Sequence, residues 1–474
     1  MASGHGGSPA MKITALAAGF VLASVDATVM QIAGATVQDR LHAPLSRLTW
    51  AVDGYVLTFA ALLMLAGGLA GRLGARRVYL WGMAVFLAAS LAAALAPTIE
   101  VLIAARLVQG AGAALFMPSS LALLVEAFPD PRRRARVLGL WSATVSSSIA
   151  LGPTAGGVVV GALGWRAIFL INVPLAVAGM ALARRYIAPV PGRPAPLAVP
   201  GHAALVAGLG ALSFALIEGP HRGWTSHPVL AAIAMVLVTA VLLPLRERRA
   251  RTTVMPWRLF RGPRFTGANT VGFLFNAAFF GTLFLVGLYF QHGEGAGPLR
   301  AGLMVLPLTV FLPLSNLAFA HLSARVPTGR LLIASLTLAA ASSFALTTIG
   351  PASPYWTTAA ALAATGIAGG ITSPAMTAVM VDAAGPGNGG VAGSVLNTGR
   401  QTGTLIGIAA VGAVLGASTD WTTGAAVSFS LVGAAYLAAA LAAWRLIARP
   451  ERTGGRERRA VPEPAPPCSH PQTA

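Results

Sequence analysis

Leu69-Ala70-Gly71-Arg72-Leu73-Gly74, running on to Arg77, recurs loosely 253 residues later as Leu322-Ser323-Ala324-Arg325-Val326-Pro327, running on to Arg330. Gly110-Ala111-Gly112, leading to Pro118, is echoed at an offset of 256 by Gly366-Ile367-Ala368, leading to Pro374. Either echo alone is a chance match between Gly/Ala-rich stretches, but two at nearly one offset point to a duplicated unit. Around them lie apolar stretches of about 20 residues, the length a helix needs to cross a hydrocarbon core of about 30 Å. Fourteen such spans are predicted, centred near Gly19, Phe59, Ala88, Ala111, Ser148, Leu175, Gly210, Met235, Ala278, Val310, Leu336, Gly366, Ile408 and Val432. Six precede the Pro-rich linker at 191–200, six follow the Arg-rich segment 246–264, and the seventh and eighth form an inserted pair. The expected fold class is therefore an all-α polytopic membrane protein of two six-helix bundles plus that pair. Its expected parts are a cytoplasmic N-terminal tail (1–10), a first bundle (11–187), linker and inserted pair (188–250), a second bundle (251–450) and a disordered cytoplasmic tail (451–474).

Composition agrees. Of 474 residues, 55% are hydrophobic and only 10% charged, with mean hydropathy +0.72, against about 25% charged residues in ordinary globular chains. A soluble multidomain enzyme is excluded for want of polar surface. The net charge of +19 would in a soluble protein suggest phosphate contacts with nucleic acid. Sorted by predicted loop, however, 26 basic residues fall on one side of the membrane and five (Arg40, Arg47, Arg166, Arg222, Arg300) on the other. That asymmetry is the positive-inside signal: both termini are expected in the cytoplasm, the membrane is the cytoplasmic one, and the lipid bilayer rather than nucleic acid is the partner of the charge. Cys468 is the sole cysteine, so no internal disulfide is possible. The first apolar stretch, 13–37, is longer than a signal-peptide core and is expected to be retained as a span.

Ionisable groups within spans cost about 2.5 to 3.5 kcal/mol on insertion scales and mark function by default. Asp26 lies midway along the first span and Arg106 in the fourth, with Gly110 one turn on to admit a neighbouring helix. Both are proton-coupling candidates, because a carboxylate whose environment changes as a cavity opens can carry a proton. A structural carboxylate and a packing arginine bonded to carbonyls are the alternatives. Asp53, in Trp50-Ala51-Val52-Asp53-Gly54-Tyr55, is placed near the outer end of the second span, where water exposure and function are both open. Glu218, beside Gly219-Pro220, reads as a loop residue at the outer end of the seventh span, and Glu126 as lying at the inner interface. In the ninth span Asn276 and Phe279, amid Phe273, Phe275, Phe280 and Phe284, are candidates for holding a lipophilic molecule; an inter-helix or lipid-facing aromatic patch explains them as well. No His/Cys metal spacing, nucleotide loop or catalytic constellation is present in the sequence, so no cofactor, no metal and no enzyme activity are expected, and energy must come from an ion gradient.

Several stretches together resemble the major facilitator superfamily, and within it the fourteen-span drug:proton antiporter branch. Val25-Asp26-Ala27-Thr28-Val29 is similar to the branch's first-span motif, which implies that Asp26 serves proton coupling or cationic-substrate binding. The stretch from Gly67 through Arg72, Gly74 and Arg76 to Arg77 resembles the latch loop between spans two and three; an aspartate usual there is replaced by Gly71. Arg106-Leu107-Val108-Gln109-Gly110 resembles the fourth-span motif whose arginine is linked to proton transfer. Ser148 through Gly152, Pro153, Gly156 and Gly157 resembles the fifth-span antiporter signature, with Ser148 where glycine is usual. Gly164 to Phe169, leading to Asn172-Val173-Pro174, and Asn397-Thr398-Gly399-Arg400-Gln401 are also similar to stretches of this branch, and Trp50 to Tyr55 to exporters of the methylenomycin-resistance type.

The resemblance implies proton-coupled efflux of small lipophilic or cationic drugs or antibiotics by alternating access, and a monomer is expected. An uptake symporter or uniporter for a metabolite, or a non-transporting membrane sensor, remain the alternatives.

Overall fold

The computed structural model describes residues 9–128, 130, 133, 137, 148, 151–189, 191–192, 198–250, 254, 257–348, 353–385 and 388–448. The C-terminal tail, nearly all of the N-terminal tail and most of the region around Ser148 therefore lie outside the described residues. Every regular element among them is helical. In chain order these are α1 (Pro9–Arg40), α2 (Leu45–Leu73), α3 (Ala75–Ala94) and α4 (Ile99–Ala127), then α5 (Leu151–Leu163), α6 (Ala167–Tyr186), α7 (Val199–Arg222) and α8 (His227–Glu247). They continue with α9 (Pro263–Gly293), α10 (Pro298–Ser323), α11 (Thr328–Leu346), α12 (Tyr355–Ala384), α13 (Gly389–Ala417) and α14 (Trp421–Ala448).

Twelve of these helices are long and apolar enough to cross a membrane, not the fourteen expected. The two that differ have separate causes. α5 is described over only 13 residues, and α13, although 29 residues long, carries Asn397, Arg400, Gln401, Thr402 and Thr404 in its first half, which dilutes its hydropathy.

Polar residues enter these helices at little cost because their hydroxyls return to the helix's own carbonyls. Thr28 Oγ1 donates to Ser24 O at 2.8 Å, Ser315 Oγ to Phe311 O at 2.6 Å and Thr365 Oγ1 to Ala361 O at 3.0 Å. Where α2 gives way to α3, Gly74 takes φ +92°, a region open to glycine and strained for other residues, so the two helices turn within one residue.

The sequence repeat is visible in the packing. A Cβ on Gly110 would stand 2.2 Å from Tyr55 O, and one on Gly366 would stand 2.3 Å from Leu308 O. Tyr55 and Leu308 are themselves 253 residues apart, so α4 crosses α2 as α12 crosses α10, backbone against backbone. Pro118 and Pro374 lie inside α4 and α12 at matching places.

Helices α1–α4 and α6 pack with one another, as do α9–α14, while α7 pairs with α8 and leans on both α2 and α13. The two groups are joined at the end of the molecule opposite the termini. There Gln291 Nε2 of α9 donates to Ile32 O of α1 at 2.7 Å, and Thr154 Oγ1 of α5 donates to Gly302 O of α10 at 3.2 Å. Asp39 meets His292 at 3.4 Å, and Gly287 lies over Gln31 O, Gly412 over Thr49. The molecule is thus sealed at that end.

Candidate functional site

Asp26 and Arg106, 80 residues apart in sequence, form a buried ion pair, with side chains 2% and 1% exposed respectively. What brings them together is the close approach of small residues: Gly110 admits the α2 backbone, and Thr58 Oγ1 of α2 donates to Leu107 O of α4 at 2.7 Å. Arg106 Nε then reaches Ala51 O at 3.1 Å while Nη1 donates to Asp26 Oδ2 and to Gln109 Oε1. The Tyr55 ring lies 4.5 Å from the guanidinium carbon and the Phe169 ring 5.9 Å, close enough for the ring faces to favour the cation.

The other carboxylate oxygen is saturated as well. Asp26 Oδ1 accepts from Gln109 Nε2 and from Asn172 Nδ2, each at 2.9 Å. Ser90 Oγ of α3 accepts from Gln109 at 2.9 Å and from Asn172 at 3.4 Å. Side chains from α1, α3, α4 and α6 and a carbonyl of α2 are therefore joined in one network around the Asp26 carboxylate. Breaking a buried pair by removing one partner costs about 3–5 kcal/mol, because the survivor is left uncompensated; a proton that neutralises Asp26 in place changes the same balance without removing an atom.

The fifth-span glycines lie directly beside this cluster. Cβ atoms on Gly152 and Gly156 would collide with Thr28 and Val29 of α1 at 1.8 and 2.9 Å. On the other side of the same helix, Gly157 lies 2.6 Å in the same sense from Pro298 O, with Gly302 Cα at 2.8 Å. α5 is thus wedged between the helix that carries Asp26 and the second group of helices, with Pro153 O also against Gly302.

Asp53 departs from its expected place near water. It is fully buried at 0% exposure, and neither carboxylate oxygen has a hydrogen-bond partner. One turn earlier Thr49 meets Gly412 of α13, so Asp53 sits at the closed seam rather than at an aqueous rim. Glu218 departs too: it lies inside α7, buried, where it accepts from Trp50 Nε1 at 3.1 Å and from Arg222 Nε at 2.7 Å, a link that fastens α7 to α2. Glu126 is exposed near the end of α4.

Asn276 and Phe279 are not brought to Asp26. Asn276 Nδ2 donates to Gly272 O of its own helix at 2.7 Å, and Phe279 is stacked on Phe275 with centroids 5.6 Å apart; both residues are buried. In the latch loop, Gly67 and Gly71 face open space, Arg76 Nη2 donates to Arg184 O at 2.5 Å, and Gly192 of the linker packs on Arg72 O. Arg400 stands apart in α13, with an Nε that has no acceptor. No group of three or more metal-ligating side chains exists among the described residues.

Gln109 and Asn172 stand within quoted motifs without a role of their own, and Ser90 stands outside them. Their signal was available only as polar side chains in otherwise apolar helices.

The chain matches the profile of the Major Facilitator Superfamily over residues 15–408 and again over 310–471. It is 61% identical over 442 residues to the methylenomycin A resistance protein of Streptomyces coelicolor, covering 93% of each chain. To the methylenomycin A resistance protein of Bacillus subtilis it is 43% identical over 444 residues, covering 94% of this chain and 95% of that one. Among solved structures, the peptide transporter POT in complex with sulfate superposes with a TM-score of 0.68 at 16% identity, covering 93% of this chain and 95% of that one.

Proposed function

The chain belongs to the Major Facilitator Superfamily, and from that footing we propose that it is a monomeric drug exporter that expels small molecules by proton-driven alternating access. Drug efflux accords with the resistance proteins it resembles over nearly its whole length. In this reading the chain crosses the cytoplasmic membrane fourteen times as two bundles of six with α7 and α8 inserted. Both termini are cytoplasmic, in line with the 26-to-5 split of basic residues. The sealed end is then the outer one, and the conformation is closed to the outside.

The observation that carries the proton-coupled part of the reading is the ion pair of Asp26 and Arg106, with Gln109 and Asn172 filling the remaining acceptor positions. When a proton from outside neutralises Asp26, Arg106 keeps only uncharged partners: Gln109 Oε1, Ala51 O and the Tyr55 ring. In this cycle Asp26 takes up its proton while the outer end is open, the protonated chain closes to the sealed form, and the cluster, which ties five helices with α5 wedged between α1 and α10, is complete only when the proton leaves. Release of the proton inward restores the pair. One proton crossing 100 mV supplies about 2.3 kcal/mol and one pH unit adds about 1.36 kcal/mol. Together these sustain roughly a 500-fold gradient of a neutral drug.

An Asp26→Asn variant expressed in an efflux-deficient host tests this. It is expected to reach the membrane at the normal level and to lose protection across an antibiotic panel that the unaltered chain resists. Undiminished protection by that variant would remove Asp26 from the coupling.

A further inference from the structure

Asp53 has no part in the cycle described above, yet it is an ionisable group placed deep in α2. It has no exposed surface, neither of its oxygens has a hydrogen-bond partner, and no basic side chain among the described residues lies within 4 Å of it.

The helices packed on α2 are α1, α3, α4, α7 and α13, and their charged groups are engaged elsewhere. Arg106 of α4, whose Nε reaches Ala51 O, is paired with Asp26 of α1. Glu218 of α7 accepts from Trp50 and from Arg222. Arg76 and Arg77 stand at the start of α3, and on α2 itself Arg47 and Arg72 stand near the two ends. α13 closes on α2 where Gly412 meets Thr49, one turn before Asp53. Residues 405–415 of α13 are all glycine, alanine, valine, leucine or isoleucine, and Arg400 lies about three turns from Gly412.

A carboxylate buried with neither counterion nor donor is too costly to keep charged, and takes up a proton instead. The seam between α2 and α13 therefore closes over the acid form of Asp53 and is opposed by its anion. The burial also fixes which water supplies the proton. While the seam is closed no water touches Asp53; it meets water when α13 parts from α2, which happens at the sealed end.

We propose that Asp53 is a proton-operated latch on the outer seam, loaded and unloaded from the outside. The inference rests on the exporter reading, through its assignment of the sealed end to the outside. The carboxylate gains one proton from outer water before the seam closes, holds it while the chain faces inward, and returns it to the same water when the seam opens. No proton crosses the membrane on Asp53: Asp26 carries the driving proton, and Asp53 makes closing depend on outer acidity. Because the sealed form holds a proton that the open form releases, raising the pH by one unit lowers the ratio of sealed to open chains by up to tenfold.

The test uses the full chain in lipid nanodiscs, where one buffer bathes both faces, with Cys468→Ser and with spin labels on Ser46→Cys and Ala417→Cys at the outer ends of α2 and α13. Asp26→Asn is added so that the driving proton contributes nothing. Distances between the labels are expected to lengthen as the buffer passes from mildly acidic to mildly alkaline. With Asp53→Asn or Asp53→Leu they stay short throughout. The proposal is overturned if the distances do not respond to pH, or if the response survives in both Asp53 variants, which would place it on another group such as His292 beside Asp39. In proteoliposomes with Asp26 intact, Asp53→Asn is expected to accumulate the antibiotic against which the parent protects best to the parent's plateau under the same pH gradient. A lower plateau would give Asp53 a share of the driving protons and overturn the same-side latch. A parent chain that protects against nothing loses the exporter reading, whereas the distances judge the seam by themselves.

Discussion

Gly110 in the first half of the chain and Gly366 in the second do the same work, letting one helix cross another at backbone contact. Four residues before Gly110 stands Arg106; four before Gly366 stands Leu362. By the offset of 253 that also relates Gly34 to Gly287, the position of Asp26 corresponds to Phe279, which stacks on Phe275. The two halves thus share a packing plan and differ in charge. The first half holds a paired acid and base in a saturated network, whereas the second is apolar at the related positions and carries Arg400 elsewhere, in α13. In the proposed cycle the duplicated scaffold supplies two rocking bodies, and the asymmetry in charge leaves proton handling to the first.

The comparison is broken most forcefully by giving the first half the second half's residue. Arg106→Leu leaves Asp26 buried without its counterion and is expected to cost about 3–5 kcal/mol, read as loss of thermal stability in detergent together with loss of efflux. The double variant Asp26→Asn with Arg106→Leu is expected to regain much of that stability without regaining transport. If the single variant is as stable as the parent, the buried pair does not hold its helices together as described above.

Asn172→Ala removes one of the donors to Asp26 Oδ1, for which about 1.5–3 kcal/mol is expected from a hydrogen bond to a charged group. The same substitution at Asn276, bonded only to its own helix, gives a smaller loss; equal losses would erase the contrast between the halves. Gly157→Val places side-chain atoms where Pro298 O and Gly302 already lie. An overpacking cost of about 1–3 kcal/mol is expected to fall on the sealed conformation, so a cysteine placed at Gln291 gains reactivity toward an impermeant thiol reagent as transport falls. The smallest effect is expected where α7 meets α2: Trp50→Phe removes one donor to Glu218, about 0.5–1.5 kcal/mol, with efflux largely kept. A strong transport defect there would give α7 a part in the cycle.

Much of this was legible in sequence, for identifiable reasons. The repeat, the membrane spans and the asymmetry of arginines are long-range patterns that survive without coordinates, and Asp26 and Arg106 stand out because ions in apolar helices have few bland explanations. Helix count fared less well where polarity is built into a packed helix, as in α13. Asp53 and Glu218 lie deeper than their sequence positions suggest, because distance from a helix end is not distance from water. In fact α13 closes over the seam near Asp53, and Trp50 with Arg222 draws Glu218 inward. The partners of Asp26 could not be named, since Ser90, Gln109 and Asn172 converge only once three helices pack.

The central claim, that the Asp26–Arg106 pair couples proton movement to export, is tested most directly in proteoliposomes by comparing two fluxes of one drug through Asp26→Asn. Uphill accumulation driven by an imposed pH gradient is expected to vanish, while downhill exchange of labelled for unlabelled drug continues near the parent's rate. Uphill accumulation at the parent's level in that variant would contradict the account.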